Sequence, residues 1–215
     1  MISLKVMHVV SRGAGLLTAS MLVMLLSACT ILPSAPVSQV YLLPVPPAAN
    51  TSRAPTVNWS LRVSQPATNQ FINSSRIAVQ PDGQEIAVYK NSRWTDPAPI
   101  LVRNRLIQEF RTDGRIPAVS SDDDSLQADV ELSGDLSAFQ GVYQAGNSEV
   151  LISFDARLVR ISDRRIIATR HFEIRQPIKG AQMNEVVEAF GLASNQLAAQ
   201  VLNWTLQQSP QAARE

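Results

Sequence analysis

Apolar and polar residues alternate with a period of two through much of this chain, the spacing of strands that bury one face. Val37 to Leu43 is apolar enough for a first strand, which Pro44 ends. Val57, Trp59, Leu61 and Val63 then alternate with Asn58, Ser60, Arg62 and Ser64. Ile77 and Val79 precede the turn signal Asp82-Gly83, and Glu85 to Tyr89 follows it, which predicts a hairpin. Leu126, Ala128, Val130, Leu132 and Leu136 alternate with polar residues, as do Val150, Ile152, Phe154, Ala156 and Leu158. Ile166, Ala168, Phe172 and Ile174 form a last strand after the turn at Ser162 and Asp163. Short connections join these three strands, so an antiparallel meander is expected.

Two segments switch to helical spacing. The first opens at Asp96-Pro97, with Asp96 expected as N-cap and Pro97 as first helical residue. Val102, Leu106 and Phe110 recur every fourth residue, and Asp113-Gly114 closes it. The second runs from about Gln182 to Gln207, with Met183, Val187, Phe190, Leu197, Val201 and Trp204 on one stripe and Gly191 as a weak point. This order predicts an α+β fold: an antiparallel β-sheet with two α-helices packed on one face.

The N-terminus obeys a different pattern. Lys5 and Arg12 precede an apolar run from about Ala14 to Leu26, shorter than the roughly 20 residues needed to cross a bilayer core. The run ends in Leu26-Ser27-Ala28-Cys29, which holds the chain's single cysteine. Leu26, Ser27 and Ala28 read as a lipobox, and Cys29 as the sulfur nucleophile that takes a diacylglyceryl group. Each buried methylene contributes about 0.8 kcal/mol and stable anchoring needs at least two acyl chains, which a triacylated cysteine exceeds. Thr30, rather than Asp, follows the cysteine and points to the outer membrane over inner-membrane retention.

The expected organisation is a cleaved signal peptide over 1–28, a lipidated Pro-rich tether over 29–36, a domain over 37–208, and a disordered tail over 209–215. Proline keeps the tether semi-extended. Losing Lys5 and Arg12 with the signal takes the formal charge from +1 to −1, which lacks the basic excess of a nucleic-acid binder. No disulfide can form with one cysteine.

The chemistry-bearing residues are sparse. Once His8 leaves with the signal, His171 is alone in a strand, and no nucleophile motif accompanies it. Asp122, Asp123 and Asp124 lack the alternating ligands and glycine turn of a calcium loop, so a solvated loop is expected. No catalytic or metal residues are assigned, and no cofactor beyond the lipid on Cys29. Arg157, Arg160, Arg164, Arg165, Arg170, Arg175 and Lys179 make the meander basic, either as a solvated face or as one that meets headgroups or an acidic partner. Trp59 reads as core. Trp94 fits a lid over the core where the first helix begins, and Trp204 fits either core or an exposed anchor. Trp94 and Trp204 are the candidates for partner docking.

Taken in order, the lipobox, Val40-Tyr41-Leu42-Leu43, Ser75-Arg76-Ile77-Ala78-Val79 before a hairpin, and Arg93-Trp94-Thr95-Asp96-Pro97 opening a helix with Leu106 resemble the ABC-type transport auxiliary lipoprotein family, the PqiC-type lipoproteins. The Phe172 strand, Pro177 and a helix near Val186 complete the likeness. Thr95 replaces a commoner small residue, and Val63-Ser64-Gln65-Pro66 stands where the family has a Leu-Pro phrase. The resemblance implies a non-enzymatic outer-membrane lipoprotein facing the periplasm. It would be the auxiliary component of an MCE-type (mammalian cell entry) ABC system moving lipids between the two membranes. It implies an MCE-type bridging protein as partner and admits a homo-oligomeric ring. The alternatives are an LptE-like lipoprotein that supports an outer-membrane barrel, or a stand-alone periplasmic lipid-binding protein with an apolar cavity between sheet and helices.

Overall fold

A computed structural model describes residues 38–45, 55–144 and 146–208. The signal peptide over 1–28, the lipobox, Cys29, the tether over 29–36 and the tail over 209–215 lie outside the described residues.

Among the described residues, eight strands and two helices follow one another: β1 (Gln39–Tyr41), β2 (Leu61–Val63), β3 (Arg76–Gln80), β4 (Ala87–Trp94), α1 (Ala98–Asp113), β5 (Val119–Ser121), β6 (Val130–Gln144), β7 (Asn147–Arg160), β8 (Arg165–Pro177) and α2 (Met183–Gln207). The strands form one sheet, and β6 is its spine. One edge of β6 pairs antiparallel with β7 along its whole length, and β7 pairs antiparallel with β8. This is the expected meander. The other edge of β6 is shared. Its first residues pair with β2 (Leu61↔Val130, Val63↔Leu132), and its last pair with β3 (Ala78↔Gln140, Gln80↔Val142), both parallel. β2 continues in parallel to β5, while β3 continues through antiparallel β4 to parallel β1.

The sheet is therefore mixed, not antiparallel as expected. The physical reason is the connection. Parallel strands need long crossovers, and α1 and the other strands between β2 and β6 supply one.

Strand limits shift for identifiable reasons. Alternating burial from Trp59 to Val63 holds, but only Leu61–Val63 has ladder partners on both sides. β6 starts at Val130, leaving Leu126 exposed, and runs on to Gln144. A register shift between Leu136 and Ala138 changes its phase. Before the shift Leu132 and Leu136 face the core; after it Phe139 does. The β3–β4 hairpin forms, but β4 begins at Ala87 instead of Glu85 and extends to Trp94. Gly83 turns the chain with φ +49°.

Asp96 does not cap α1. Pro97 is the N-cap, still extended at φ −55° and ψ 143°, and no side chain caps the helix. Because Pro97 itself is extended, helical backbone begins one residue later than expected, and Asp96 stands one position before the cap. The Pro97 carbonyl instead accepts from Ile100 and Leu101 N–H at 3.0 and 3.2 Å. Gly114 closes the helix in the left-handed region at φ 76°. Gln182 caps α2 reciprocally: the Gln182 N–H donates to Glu185 Oε2 at 2.8 Å, and the Gln182 side chain accepts from the Glu185 amide. Gly191 is no weak point. A Cβ there would stand 2.8 Å from Pro44 Cβ, so its hydrogen lets the segment after β1 cross α2 closely.

α1 packs on β2 and β5, α2 on β7 and β8, and the helices on each other. One apolar cluster fills the space between sheet and helices, with Phe110, Phe139, Phe154 and Phe190 fully buried. Full burial of such a side chain contributes about 1.5–3 kcal/mol.

Candidate functional site

The two tryptophans proposed for docking belong to the core. Trp94 is 1% exposed and Trp204 5%. The last residue of β4 points inward, so the Trp94 ring meets Phe190 edge-on at 5.2 Å and Phe139 at 6.2 Å. Trp204 on α2 meets Phe172 of β8 edge-on at 5.7 Å. Neither indole offers surface to a partner. The apolar stripe of α2 and the inward phase of β4 consume both.

The acidic run lies in an exposed turn, as expected, and is also tied to the fold. Arg103 is buried on α1, and its Nη1 donates to Asp122 Oδ1 at 2.8 Å and Asp123 Oδ2 at 2.7 Å. Asp124 Oδ2 accepts from the Ser121 amide at 2.8 Å. Burial alone would raise the Asp122 carboxyl, but the Gln65 amide and the Arg103 guanidinium outweigh it and hold it below the usual range. Asp122 and Asp123 neutralise a buried cation, and no cluster of ligands suited to a metal occurs among the described residues. Arg105, also buried on α1, donates to Asn195 Oδ1 at 2.5 Å and Glu109 Oε2 at 2.8 Å, tying the two helices together.

The outer face of the meander, away from the helices, carries most of the remaining charge. Paired strands place Asp135, Asp155 and His171 side by side in one row. Arg157 reaches Asp135 at 2.6 Å, and His171 Nδ1 lies 2.7 Å from Asp155 Oδ1. Arg175 bridges Glu149 and Glu173, and those carboxylates hold its guanidinium above its ordinary value. Arg160 pairs with Asp163 at 2.9 Å, and Arg170 lies 5.1 Å from the Phe172 ring centroid. At the β2 seam, Glu131 accepts from Arg62 and Ser64 at 2.6 and 2.7 Å. His171 therefore stands on an open strand face with its ring held by a half-exposed carboxylate.

Two of the grooves that border the described residues concern the site. One, about 870 Å³, lies beside the β6–β7 turn and is lined by Tyr143, Asn147, Ile178 and Lys179 among others. The other, about 450 Å³, lies between α1 and β5 and is lined by Arg103, Asn104, Arg111 and Asp124 among others. Near the first, Tyr89 lies over Gly141 and donates to or accepts from Tyr143 Oη at 3.1 Å. Burial, then the Tyr143 hydroxyl, pushes the Tyr89 phenol well above its ordinary value, so it is a neutral structural group. Both grooves are open and polar-edged. The space between sheet and helices is filled with aromatic and aliphatic side chains.

These features define a class: an α+β domain of one mixed sheet and two helices, with paired charges on its open strand face. The profile of the ABC-type transport auxiliary lipoprotein component family matches residues 41–202, and the chain belongs to that family. Its fold is similar to that of protein XCC0632 from Xanthomonas campestris, with 29% identity, TM-score 0.72, and coverage of 79% of this chain and 95% of that one. A second solved structure, of an uncharacterized protein, shares the fold at 18% identity and TM-score 0.61, covering 79% of this chain and 99% of that one. An uncharacterized protein of Bradyrhizobium diazoefficiens is 27% identical over 153 residues, 71% of this chain. The match takes in 41% of that relative's length, so the relative is much the longer protein.

No helix among the described residues is long and apolar enough to cross a membrane. The residues that sequence reasoning missed are Arg103 and Arg105. Each sits beside an apolar position of α1, and the only signal was an arginine phase that drifts onto the buried stripe.

Proposed function

We propose that this protein is a lipid-anchored, periplasm-facing lipoprotein of the outer membrane. In this reading it is the non-enzymatic auxiliary component of an MCE-type ABC system that moves lipids between the two membranes. Cys29 carries the acyl chains, the Pro-rich segment after it gives reach, and the sheet-and-helix domain docks the MCE-type bridging protein. Homo-oligomers are compatible with this arrangement.

The family match over residues 41–202 carries the reading. Two further features support it. The lipobox ends in the chain's single cysteine, and several titratable groups that could do chemistry are paired within the domain. His171 and Asp155 pair on an open face, and Asp122 and Asp123 are engaged by Arg103. The filled core gives the reading as a stand-alone lipid carrier no apolar cavity between sheet and helices.

The test is Cys29→Ala in the native host. Membrane fractionation should find the variant released to the soluble periplasm, with outer-membrane lipid transport impaired. Retention in the outer membrane with intact transport would sink the anchoring mechanism. Affinity capture with the native lipoprotein should recover an MCE-type protein. Recovery of an outer-membrane barrel instead would favour the LptE-like alternative.

A further inference from the structure

Arg157, Arg160 and Arg175 of the meander are held by carboxylates, whereas two arginines that face one another elsewhere in the sheet have no such partner among the described residues. Arg76 of β3 and Arg93 of β4 are register partners across an antiparallel pair. Directly opposed side chains in such a pair have Cβ atoms about 4.5–5.5 Å apart, and like charges there repel. Both arginines are exposed. Among the described residues, no side-chain hydrogen bond or ion pair engages either guanidinium.

The same row continues into β1, where Val40 is the partner of Arg93. Val40 is 50% exposed. Leu42, two residues on and on the same side of the chain, is 73% exposed, the most exposed large hydrophobic residue among those described. Their neighbours Tyr41 and Leu43 pack inward, so the alternation of the chain puts Val40 and Leu42 outside. An exposed apolar pair beside two unneutralised guanidiniums matches the chemistry of an anionic bilayer surface, where apolar groups enter the interface and arginines take phosphates.

An anchor at Cys29 would also hold β1 within a bounded distance of the membrane. β1 is the first described strand, and Cys29 lies nine residues before Ser38. At no more than about 3.6 Å per residue, that link spans at most roughly 32 Å.

We propose that the β1–β4–β3 corner rests on an anionic phospholipid surface, with Arg76 and Arg93 on headgroup phosphates and Val40 and Leu42 in the interfacial layer. The choice of a membrane as occupant rests on the reading of Cys29 as a lipid anchor. The corner then sets how the domain is oriented on its membrane, which the acyl chains by themselves do not.

The experiment uses the mature chain with Cys29→Ala, so that acyl chains contribute nothing, and co-sedimentation with vesicles. Vesicles rich in phosphatidylglycerol should bind it more tightly than pure phosphatidylcholine vesicles, and salt should weaken the binding. Each arginine near an anionic surface is worth roughly a fivefold change in partitioning, so Arg76→Gln with Arg93→Gln should lower it by roughly twenty-five-fold. Arg164→Gln in the β7–β8 turn should change it far less. An environment-sensitive dye on Leu42→Cys should shift blue with phosphatidylglycerol vesicles. Binding that is unchanged in the double variant, or equal loss in Arg164→Gln, overturns the proposal. So does a double variant that keeps vesicle binding but no longer captures a bridging protein, which would assign the corner to a protein partner.

The anchor is tested separately, by the acyl mass on Cys29 of the wild-type protein. Its absence together with intact vesicle binding would refute the anchor and leave the corner standing. Its presence without vesicle binding would do the reverse.

Discussion

Asp135 and Asp155 stand opposite one another across β6 and β7, as Arg76 and Arg93 do across β3 and β4. Both arrangements oppose like charges, which costs stability in an antiparallel sheet. The meander relieves its acids from within: Arg157 takes Asp135 and His171 takes Asp155. The corner does not relieve its arginines from any described residue. A self-neutralised face has little electrostatic need of a partner, whereas an opposed cation pair gains from any anion it meets. Basic residue count therefore misleads here. The meander holds more arginines than the corner, yet Arg157, Arg160 and Arg175 are held by its own carboxylates.

The meander can present that paired array only because its strands are held in one register. The largest effect on the comparison should come from breaking that register. A Cβ on Gly134 of β6 would collide with the Asp155 carbonyl oxygen and stand 2.5 Å from the Phe154 ring. Since Gly134 faces Ala156 and neighbours the Asp135–Asp155 pair, Gly134→Val should cost about 3 kcal/mol or more through overpacking against backbone. Urea unfolding measures this. If the variant loses under about 1 kcal/mol, the seam is more yielding than the close approach implies.

Sequence patterning exposed the meander and both helices because each is local. Alternation, short turns and a fourfold apolar recurrence need no knowledge of distant partners. The mixed topology was hidden for the opposite reason. β2 and β5 have three residues each, and a three-residue alternation says nothing about which strand it joins or in which direction. The second half of β6 was hidden by its own register shift. Phe139 to Val142 are all buried, so the period of two vanishes where the phase changes. Of the candidate site, the Cys29 motif was legible but lies outside the described residues. The tryptophans were read as candidates for docking, although their neighbours Phe139, Phe190 and Phe172 come from distant elements that enclose them. The corner could not be read at all, because the facing of Arg76 and Arg93 follows from a strand register that is irregular between Arg76 and Ala78.

A smaller but more discriminating effect is a difference of sign. In the lipid-free protein, Arg157→Gln leaves Asp135 facing Asp155 with less compensation. It should cost about 0.2–1 kcal/mol, the usual range for exposed pairs. Arg93→Gln removes a repulsion and no described attraction, so it should stabilise by a few tenths of a kcal/mol. Urea midpoints of the two variants, measured in low salt, should move in opposite directions and converge as salt rises. A loss of stability in both would mean that Arg93 has an intramolecular partner, and the contrast between face and corner would fail.

The smallest effect separates the regions by pH. At the β2–β6 seam the Ser60 amide and hydroxyl both donate to Asp129 Oδ2 at 2.7 Å and hold its carboxyl below the ordinary range. Glu131 is also held low: burial would raise it, but Arg62 and Ser64 outweigh that. A carboxyl whose value is lowered by folding adds stability above its unfolded value, about 4, and loses it as pH falls through the folded value. Stability should thus be flat from pH 7 to about 5 and decline below about 4. The seam shares this decline with Asp122 beside Arg103 and with Asp163 in the β7–β8 turn, and the corner adds nothing to it, since Arg76 and Arg93 carry no titrating partner among the described residues. Hydrogen exchange, corrected for intrinsic rate, should show Leu61–Val63 amides losing protection in acid before those of the β3–β4 ladder. Asp129→Asn keeps an acceptor for Ser60 but removes one titration, so it should flatten the acid decline. If β3–β4 opens first instead, the acid-sensitive contacts lie at the corner, and the division between a self-neutralised face and an unmatched one is wrong.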